Sequence, residues 1–441
     1  MTHQRLIAAF FLVAAAAQAG GVFWTDRGAS QIKRMNFDGS GLQVIPLSGA
    51  VTAPGSNIRG VAVDTTSNRI FWADNGADRL LRANFDGTAS TILHTVTGGI
   101  SFPADVRLDR SGSLFYWCDQ LRMRIQRSTL DGAGVVNIIT NAAATGPYFM
   151  DLDPGAGKIY WGDFNAGSIF RANLDGSARE TLLTGNNLTR GVCVDSAGGM
   201  LYWINRDDKK VHRCPLRAFT NGTVALTNPI VQTLYSNLDT PHGLVLDLPA
   251  RKLYWADTGG NIGTGQGDAA VSRGDLDGST PMEILASGSE PWDVDLDRRC
   301  ANYAQWRARC FRLDAPSEQT NPDADPDGDG RPNAVEYGLN LAPLHTDTSG
   351  LPQGFLTNGP VADAVYHGLR FHRRTGASDL LYVVQVSTNL AHWSGSVAEP
   401  ATTNLAVRAI EDDLEEITVR ALAPLGGSAS HFLRLQILLG P

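Results

Sequence analysis

Tyr160-Trp161-Gly162-Asp163 is one of six near-copies of a short anchor. The others are Phe23-Trp24-Thr25-Asp26, Phe71-Trp72-Ala73-Asp74, Tyr116-Trp117-Cys118-Asp119, Tyr202-Trp203-Ile204-Asn205 and Tyr254-Trp255-Ala256-Asp257. Successive tryptophans stand 48, 45, 44, 42 and 52 residues apart. Ten residues after each of the first five comes an arginine (Arg34, Arg82, Arg127, Arg171, Arg213), which an eight-residue insertion moves to Arg273 in the sixth unit. Four residues further on lies an Asp-Gly pair, at Asp38, Asp86, Asp131, Asp175 and Asp277; Arg217 breaks the rule in the fifth unit. Eight residues before the later five tryptophans, Asp64, Asp109, Asp153, Asp195 and Asp247 close apolar runs such as Gly60-Val61-Ala62-Val63.

Alternation of Val, Leu or Ile with small or polar residues is the period of a β-strand, and Asp-Gly pairs are hairpin signals. Each unit therefore reads as inner strand, turn, Tyr-Trp strand, loop, Arg strand, Asp-Gly turn and outer strand. One such sheet cannot bury both its faces, so neighbours must stack, and a period in the forties suits a propeller blade. The first unit lacks an inner strand, while Trp292-Asp293-Val294-Asp295-Leu296-Asp297 offers one late and aligns with Ala104–Asp109. The expected fold is all-β: a six-bladed β-propeller closed by pairing of residues 290–297 with the strand that begins at Val22.

The repeat resembles the low-density lipoprotein receptor class B (Tyr-Trp-Thr-Asp) repeat over roughly residues 22–297. That resemblance implies a six-bladed propeller that recognises a peptide or protein on one face. The repeated tryptophans read as wedge fillers between sheets, and the repeated Arg and Asp as charge-assisted locks between strands. Function should then lie where the units differ.

They differ just before each inner strand, at one mouth of the central channel: Arg59, Ala104, Tyr148, Arg190, His242 and Trp292. The next positions are Gly60, Asp105, Phe149, Gly191, Gly243 and Asp293. Exposed Trp, Tyr and Arg clusters are common binding hot spots, so Arg59, Asp105, Tyr148, Arg190, His242 and Trp292 are the candidate ligand-binding residues. The insertion around Gly259–Asp268 is expected to overhang them. An alternative is a calcium-dependent hydrolase or lactonase of the six-bladed gluconolactonase type, for which Asp105, Asp151, Asp293 and Asp295 are available, with Arg107 intruding. No G-x-S-x-G elbow, H-E-x-x-H or phosphate loop occurs, and no catalytic residue is assigned.

Beyond Asp297 the pattern changes. Residues 300–313 carry helical spacing. From Asp325 the chain satisfies D-x-D-x-D-G-x5-E: Asp325, Asp327 and Asp329 at positions one, three and five, Gly330 at the turn, Asn333 at nine and Glu336 at twelve. The expectation is a structural calcium ion held by Asp325, Asp327, Asp329, Asn333 and Glu336, with the Arg331 carbonyl at position seven. Pro332 departs from the paired EF-hand, and the loop is more similar to dockerin or thrombospondin type 3 modules. From about Gly350, strand-like runs suggest a small β-sandwich of the kind carried by exported bacterial proteins.

The expected organisation is a signal peptide over 1–19, propeller over 20–298, helical linker with calcium loop over 299–345, and β-sandwich over 350–441. The apolar run Leu6–Ala17 followed by Ala17-Gln18-Ala19 fits an export signal, so a secreted, periplasmic or cell-surface location is expected. A net charge of −8 argues against a nucleic-acid partner, and no later segment is apolar enough to span a membrane. Five cysteines make no disulfide framework. Cys118 and Cys193 read as buried apolar residues, and a Cys300–Cys310 bridge stays open. Oligomeric state is not legible.

Overall fold

The computed structural model describes residues 20–47, 55–140, 146–260, 269–396, 401–425 and 432–440. The export-signal reading and most of the insertion after Gly259 lie outside them.

Each unit forms one antiparallel sheet, its strands hydrogen-bonded in the order the repeat implies. The second is typical: Ile58–Asp64, Arg69–Asp74, Arg79–Asn84 and Thr91–His94. Among the described residues there are six such sheets; the fourth gains a two-residue strand, Val224–Ala225, in parallel. The late strand Pro291–Asp297 does pair with Gly21–Asp26, with Val22 opposite Leu296 and Trp24 opposite Val294. It becomes the innermost strand of the first sheet.

The innermost strands of successive sheets adjoin in a closed cycle. Their contact is closest where one lacks a Cβ: a side-chain carbon on Gly60 would sit 2.6 Å from Asp105 Cα, and one on Gly243 2.6 Å from Asp293 Cα. The six anchor tryptophans are buried, and Trp161, for example, packs into the preceding sheet beside Tyr116, Cys118 and Ile125.

The locks divide their labour more finely than the repeat suggests. Three of the arginines cross between sheets: Arg82 Nη1 donates to the Leu130 carbonyl (2.6 Å), Arg213 to Leu276 (2.8 Å) and Arg273 to Phe37 (3.2 Å), whereas Arg127 and Arg171 bond Tyr116 and Glu180 of their own sheets. Each carbonyl reached across lies just before the Asp-Gly position of the next sheet. The aspartates instead cap turns within their own unit, as Asp86 does for Thr88 N–H (2.9 Å) and Asp163 for Ala166 N–H (2.9 Å).

Helices α1 (Tyr303–Cys310), α2 (Ser317–Thr320) and α3 (Asn333–Leu339) follow. A four-stranded sheet, ordered Gln353–Asn358, Val365–Arg374, Leu414–Ala421 and Thr402–Glu411, then faces a pair, Leu380–Ser387 with Phe432–Leu439. Leu369, Phe371, Ile417 and Val419 of the first sheet pack on Tyr382, Val384, Leu433 and Leu435 of the second. Trp306, Cys310, Phe311 and Tyr337 share a core with Ala250 of the repeat region. Arg309 meets Asp247 through bonds of 2.6 and 2.5 Å, both side chains buried. All five cysteines are buried free thiols, so Cys300 and Cys310 are not bridged.

Removing the late strand leaves an open inner edge and uncovered sheet faces, the configuration that templates aggregation. A chain ending at residue 288 is expected to elute as aggregates in size-exclusion chromatography and to melt well below the full chain. A monomer with unchanged melting temperature would contradict this closure.

Candidate functional site

Strand direction puts the start of every inner strand and the loop after every Tyr-Trp strand at one end of the channel. Five of the six candidate residues meet there, each contributed by a different sheet. Arg59 Nη1 donates to the Tyr148 hydroxyl, and the Arg59 guanidinium lies 4.4 Å from the Trp292 ring centre. Trp292 stacks on His242 with centroids 3.7 Å apart. Arg190 Nε donates to His242 Nδ1 (3.2 Å), and its guanidinium lies 4.6 Å from the Tyr148 ring, which returns the path to its start. Two cations, Arg59 and Arg190, are thus set against the rings of Trp292 and Tyr148, a favourable arrangement once water is excluded.

None of the five exposes more than 8 % of its surface. The expectation of an exposed ring around an open mouth is therefore corrected. These side chains are long enough to cross the channel axis, and they close it. Asp105, the sixth candidate, sits elsewhere: its carboxylate accepts from Met150 N–H (2.8 Å) and from Arg107 Nη1 (2.6 Å).

Sequence reading missed four neighbours. The Arg27 guanidinium lies 5.2 Å from the Trp292 ring, and Arg206 stands half-buried near Tyr148. Phe164 lies under Arg190 at 4.7 Å, and Phe102 beside Arg59 at 5.2 Å. A signal did exist, because Arg27, Phe164 and Arg206 each occupy the position directly after a Trp-x-Asp/Asn anchor.

Burial, then the charges of Arg190, Arg206, Arg59 and Arg27, hold His242 well below the ordinary histidine value. Burial likewise lowers Arg190, to about 10. Since Arg190 Nε–H points at Nδ1, the neutral ring carries its proton on Nε2.

Deeper in the channel the carboxylates brace strands. Asp293 and Asp295 accept from Val61 N–H (3.0 Å) and Val63 N–H (2.7 Å) of the next sheet, and Asp151 from Val194 N–H (2.8 Å). Burial raises Asp151 to about 6 and pushes Asp105 well above the carboxylate range. Asp151 and Asp295 spend their second oxygens on Leu152 and Leu296 N–H. The set offered for a lactonase-type centre is thus distributed between sheets, and the runner-up reading gains no support from it.

At its other end the channel widens into a cavity of about 750 Å³, lined by Arg107, Asp151, Cys193, Asp295, Ile410 and Asp412 among others. The turn between Thr402–Glu411 and Leu414–Ala421 covers it: Thr65 Oγ1 donates to Asp412 Oδ1 (2.6 Å), as does Arg110 Nη1 (3.3 Å).

In the Asp-rich loop, ligand oxygens of Asp325, Asp327 and Asp329 all lie within 4.8 Å of one another, the one such group among the described residues. Gly330 takes φ 86°, as the sharp turn requires. Asn333 Nδ2 donates to the Gln319 and Asn321 carbonyls (both 2.8 Å), while its Oδ1 is buried without a hydrogen-bond partner among the described residues. Glu336 is fully buried, and neither carboxylate oxygen has a hydrogen-bond partner among the described residues. Burial, then Asp327, Asp329 and Asp347, pushes it up to about 8. The Arg331 guanidinium reaches Asp329 and the Asp347 carbonyl (3.1 Å). Convergent carboxylates with an unsatisfied buried glutamate are a donor set that fits a hard divalent cation.

Comparison with known proteins agrees with this architecture. Residues 157–195 match the family described as low-density lipoprotein receptor repeat class B. A "Low-density lipoprotein receptor-related protein 1" of Pyricularia oryzae is 29% identical over 212 residues, covering 42% of this chain and 67% of its own. A human "Low-density lipoprotein receptor-related protein 5-like protein" is 28% identical over 198 residues, covering 44% and 75%. "Protein cueball" of Drosophila willistoni is 31% identical over 164 residues, covering 36% of this chain and 23% of its own length. Among solved structures, a chain of a nidogen/laminin complex superposes with TM-score 0.51 at 18% identity, over 63% of this chain and 98% of that one. The repeat region is thus a propeller-type array similar to those of low-density lipoprotein receptor relatives.

Trp292→Ala removes the ring on which Arg59, Arg27 and His242 stack. It should cost about 3–5 kcal/mol in denaturant unfolding, against less than about 0.5 kcal/mol for Arg206→Gln, which makes no side-chain hydrogen bond or ion pair among the described residues. Because His242 is held neutral, its contribution is fully present above the ordinary value of 6.5 and lost as pH falls below it. Unfolding free energy should therefore decline by up to about 1.4 kcal/mol per pH unit below that value, and His242→Gln should flatten the slope.

Proposed function

We propose that this chain is an exported six-bladed β-propeller that binds a protein or peptide on the face closed by the Arg59–Trp292–His242–Arg190–Tyr148 plug. The similarity of the repeat region to low-density lipoprotein receptor class B propellers carries the reading, since propellers of that type bind protein ligands. A rigid, aromatic-rich face suits recognition, because little side-chain entropy is lost on docking. Arg59, Tyr148, Arg190, His242 and Trp292 then preorganise the face from beneath, and Arg27, Phe102, Leu121 and Arg206 supply its accessible surface. Phe102 and Leu121 are exposed apolar groups on that same end. No helix among the described residues is long and apolar enough to cross a membrane.

The boundaries proposed are 20–298 for the propeller, 299–345 for the linker and 350–441 for a small β-sandwich. In the linker a calcium ion is proposed to bind Asp325, Asp327, Asp329 and Glu336, with the Arg331 carbonyl, and Asn333 directly or through water. Arg331 would turn its guanidinium off Asp329 to admit it. The ion's binding energy becomes local folding energy, at roughly 10⁻⁴–10⁻³ M affinity for an extracellular module.

Two experiments test these readings. With the full chain as bait, a directly binding protein identified by cross-linking should lose at least tenfold in affinity for a Phe102→Ser, Leu121→Ser variant and none for Leu248→Ser at the opposite end. The reverse pattern would move the site off this face. For the loop, calcium should protect residues 314–340 from proteolysis in the wild type and not in an Asp329→Ala, Glu336→Ala variant. Cutting that ignores both calcium and the substitutions would reduce the run to an acidic linker.

A further inference from the structure

The plug gathers positive charge without matching it. Arg59, Arg190 and Arg206 form no ion pair among the described residues, and of the four arginines there only Arg27 has a carboxylate, Glu290 at 3.6 Å. Elsewhere on this end Asp74 is engaged by Arg79 (2.6 Å), Asp119 by Arg124 (3.1 Å) and Asp26 by Lys33 (2.5 Å), while Asp163 and Asp257 accept from backbone N–H groups such as those of Ala166 and Thr240. An uncompensated guanidinium removed from water is costly, and the chain as a whole has a net charge of −8, so the excess is local.

Hydrogen bonding carries the same imbalance. Arg59 Nε, Trp292 Nε1 and His242 Nε2 are buried and have no hydrogen-bond partner among the described residues. The first two are obligate donors, and the Arg190 bond to Nδ1 makes the third a donor as well. The Trp292 ring touches both others: its centre is 3.7 Å from that of His242 and 4.4 Å from the Arg59 guanidinium carbon. Around the Trp292 ring, then, the described residues leave three N–H groups unused and two arginines without an ion pair, in a positive field that depresses His242.

We infer that this spot receives an anionic oxygen group, namely the carboxylate of an Asp or Glu side chain on a protein ligand. The inference rests on the protein-recognition reading above and gives that ligand its chemistry. A carboxylate offers two oxygens to planar guanidinium forks and indole N–H, and neutralises charge that the fold leaves uncompensated. Arg27, a quarter exposed and resting on Trp292, and half-buried Arg206, whose charge acts on His242, are the more accessible arginines beside the spot. They are the first contacts of the arriving group and turn aside as it seats. The exposed rings and side chains of Phe102 and Leu121 flank the entry and favour an apolar residue next to the acid.

The test uses the full chain and an array of hexapeptides, each made in an acidic form and as its Asn/Gln twin. Expected is binding concentrated on acidic peptides with an apolar neighbour, at least tenfold weaker for the twin, falling steeply with salt. It should also drop at least tenfold in an Arg27→Gln, Arg206→Gln variant that melts like the wild type, and persist in Arg122→Gln on a neighbouring loop. Equal binding of twins, or acidic binding indifferent to the Arg27/Arg206 substitutions, overturns the inference while leaving recognition on this face intact. Displacement of a bound anionic dye by inorganic phosphate but by no acidic peptide overturns it in favour of a phosphate site. Cross-linking of the protein partner to the opposite end would instead remove the reading on which the inference rests.

Discussion

Everything in the repeat region depends on one antiparallel pairing, Gly21–Asp26 with Pro291–Asp297. Five of the six units carry their own inner strand, and the first borrows one from more than 260 residues away in sequence. Without it a curved stack of sheets has two raw faces and unpaired strand edges. With it, Asp293 and Asp295 reach the backbone N–H groups of Val61 and Val63, so the strand that closes the first sheet also fastens it to the second. The same device recurs from Asp105 to Met150 and from Asp151 to Val194. Buried carboxylates that accept from amides of a neighbouring element hold a junction strongly, because breaking it strands a polar group on both sides.

That use of the channel commits its carboxylates to structure. A carboxylate that braces two sheets cannot swing to meet a substrate without loosening the ring. The long side chains at one mouth span the lumen and shut it; the turn around Asp412 covers the other. The proposed recognition then falls to the outer surface of the plugged face and its arginines.

The period, the Trp wedges and the late strand were legible because each repeats at a fixed offset, and repetition separates signal from accident. The convergence of Asp325, Asp327 and Asp329 was legible because these residues are local in sequence; Asp347, which adds to the charge around Glu336, lies outside the twelve-residue frame and left no mark. The plug was only half legible. Its members could be placed at one mouth, but whether Arg59 reaches Tyr148 across the lumen depends on channel width, which no single unit encodes. Gly60 and Gly243 carried that information in another form: glycine there lets inner strands approach until no side chain fits between them. Burial of the plug follows from that narrowness. Arg27 and Arg206 were missed because they looked like ordinary turn residues.

The closing pair also determines how the ring would answer to tension. Gly21 faces Asp297, so both strands leave the sheet at the same end. A load between them would peel the clasp one hydrogen bond at a time, the weak geometry for a β-pair, instead of shearing all its bonds together. At that end stand Gly20 N–H on Asp297 Oδ2 (3.2 Å), the Arg299 guanidinium on the same carboxylate (2.7 Å) and, beyond them, Arg309 on Asp247. The helical segment thus does for the clasp what a stitch does at the end of a zip: force arriving from the C-terminal sheets meets a buried ion pair before it reaches the first ladder bond.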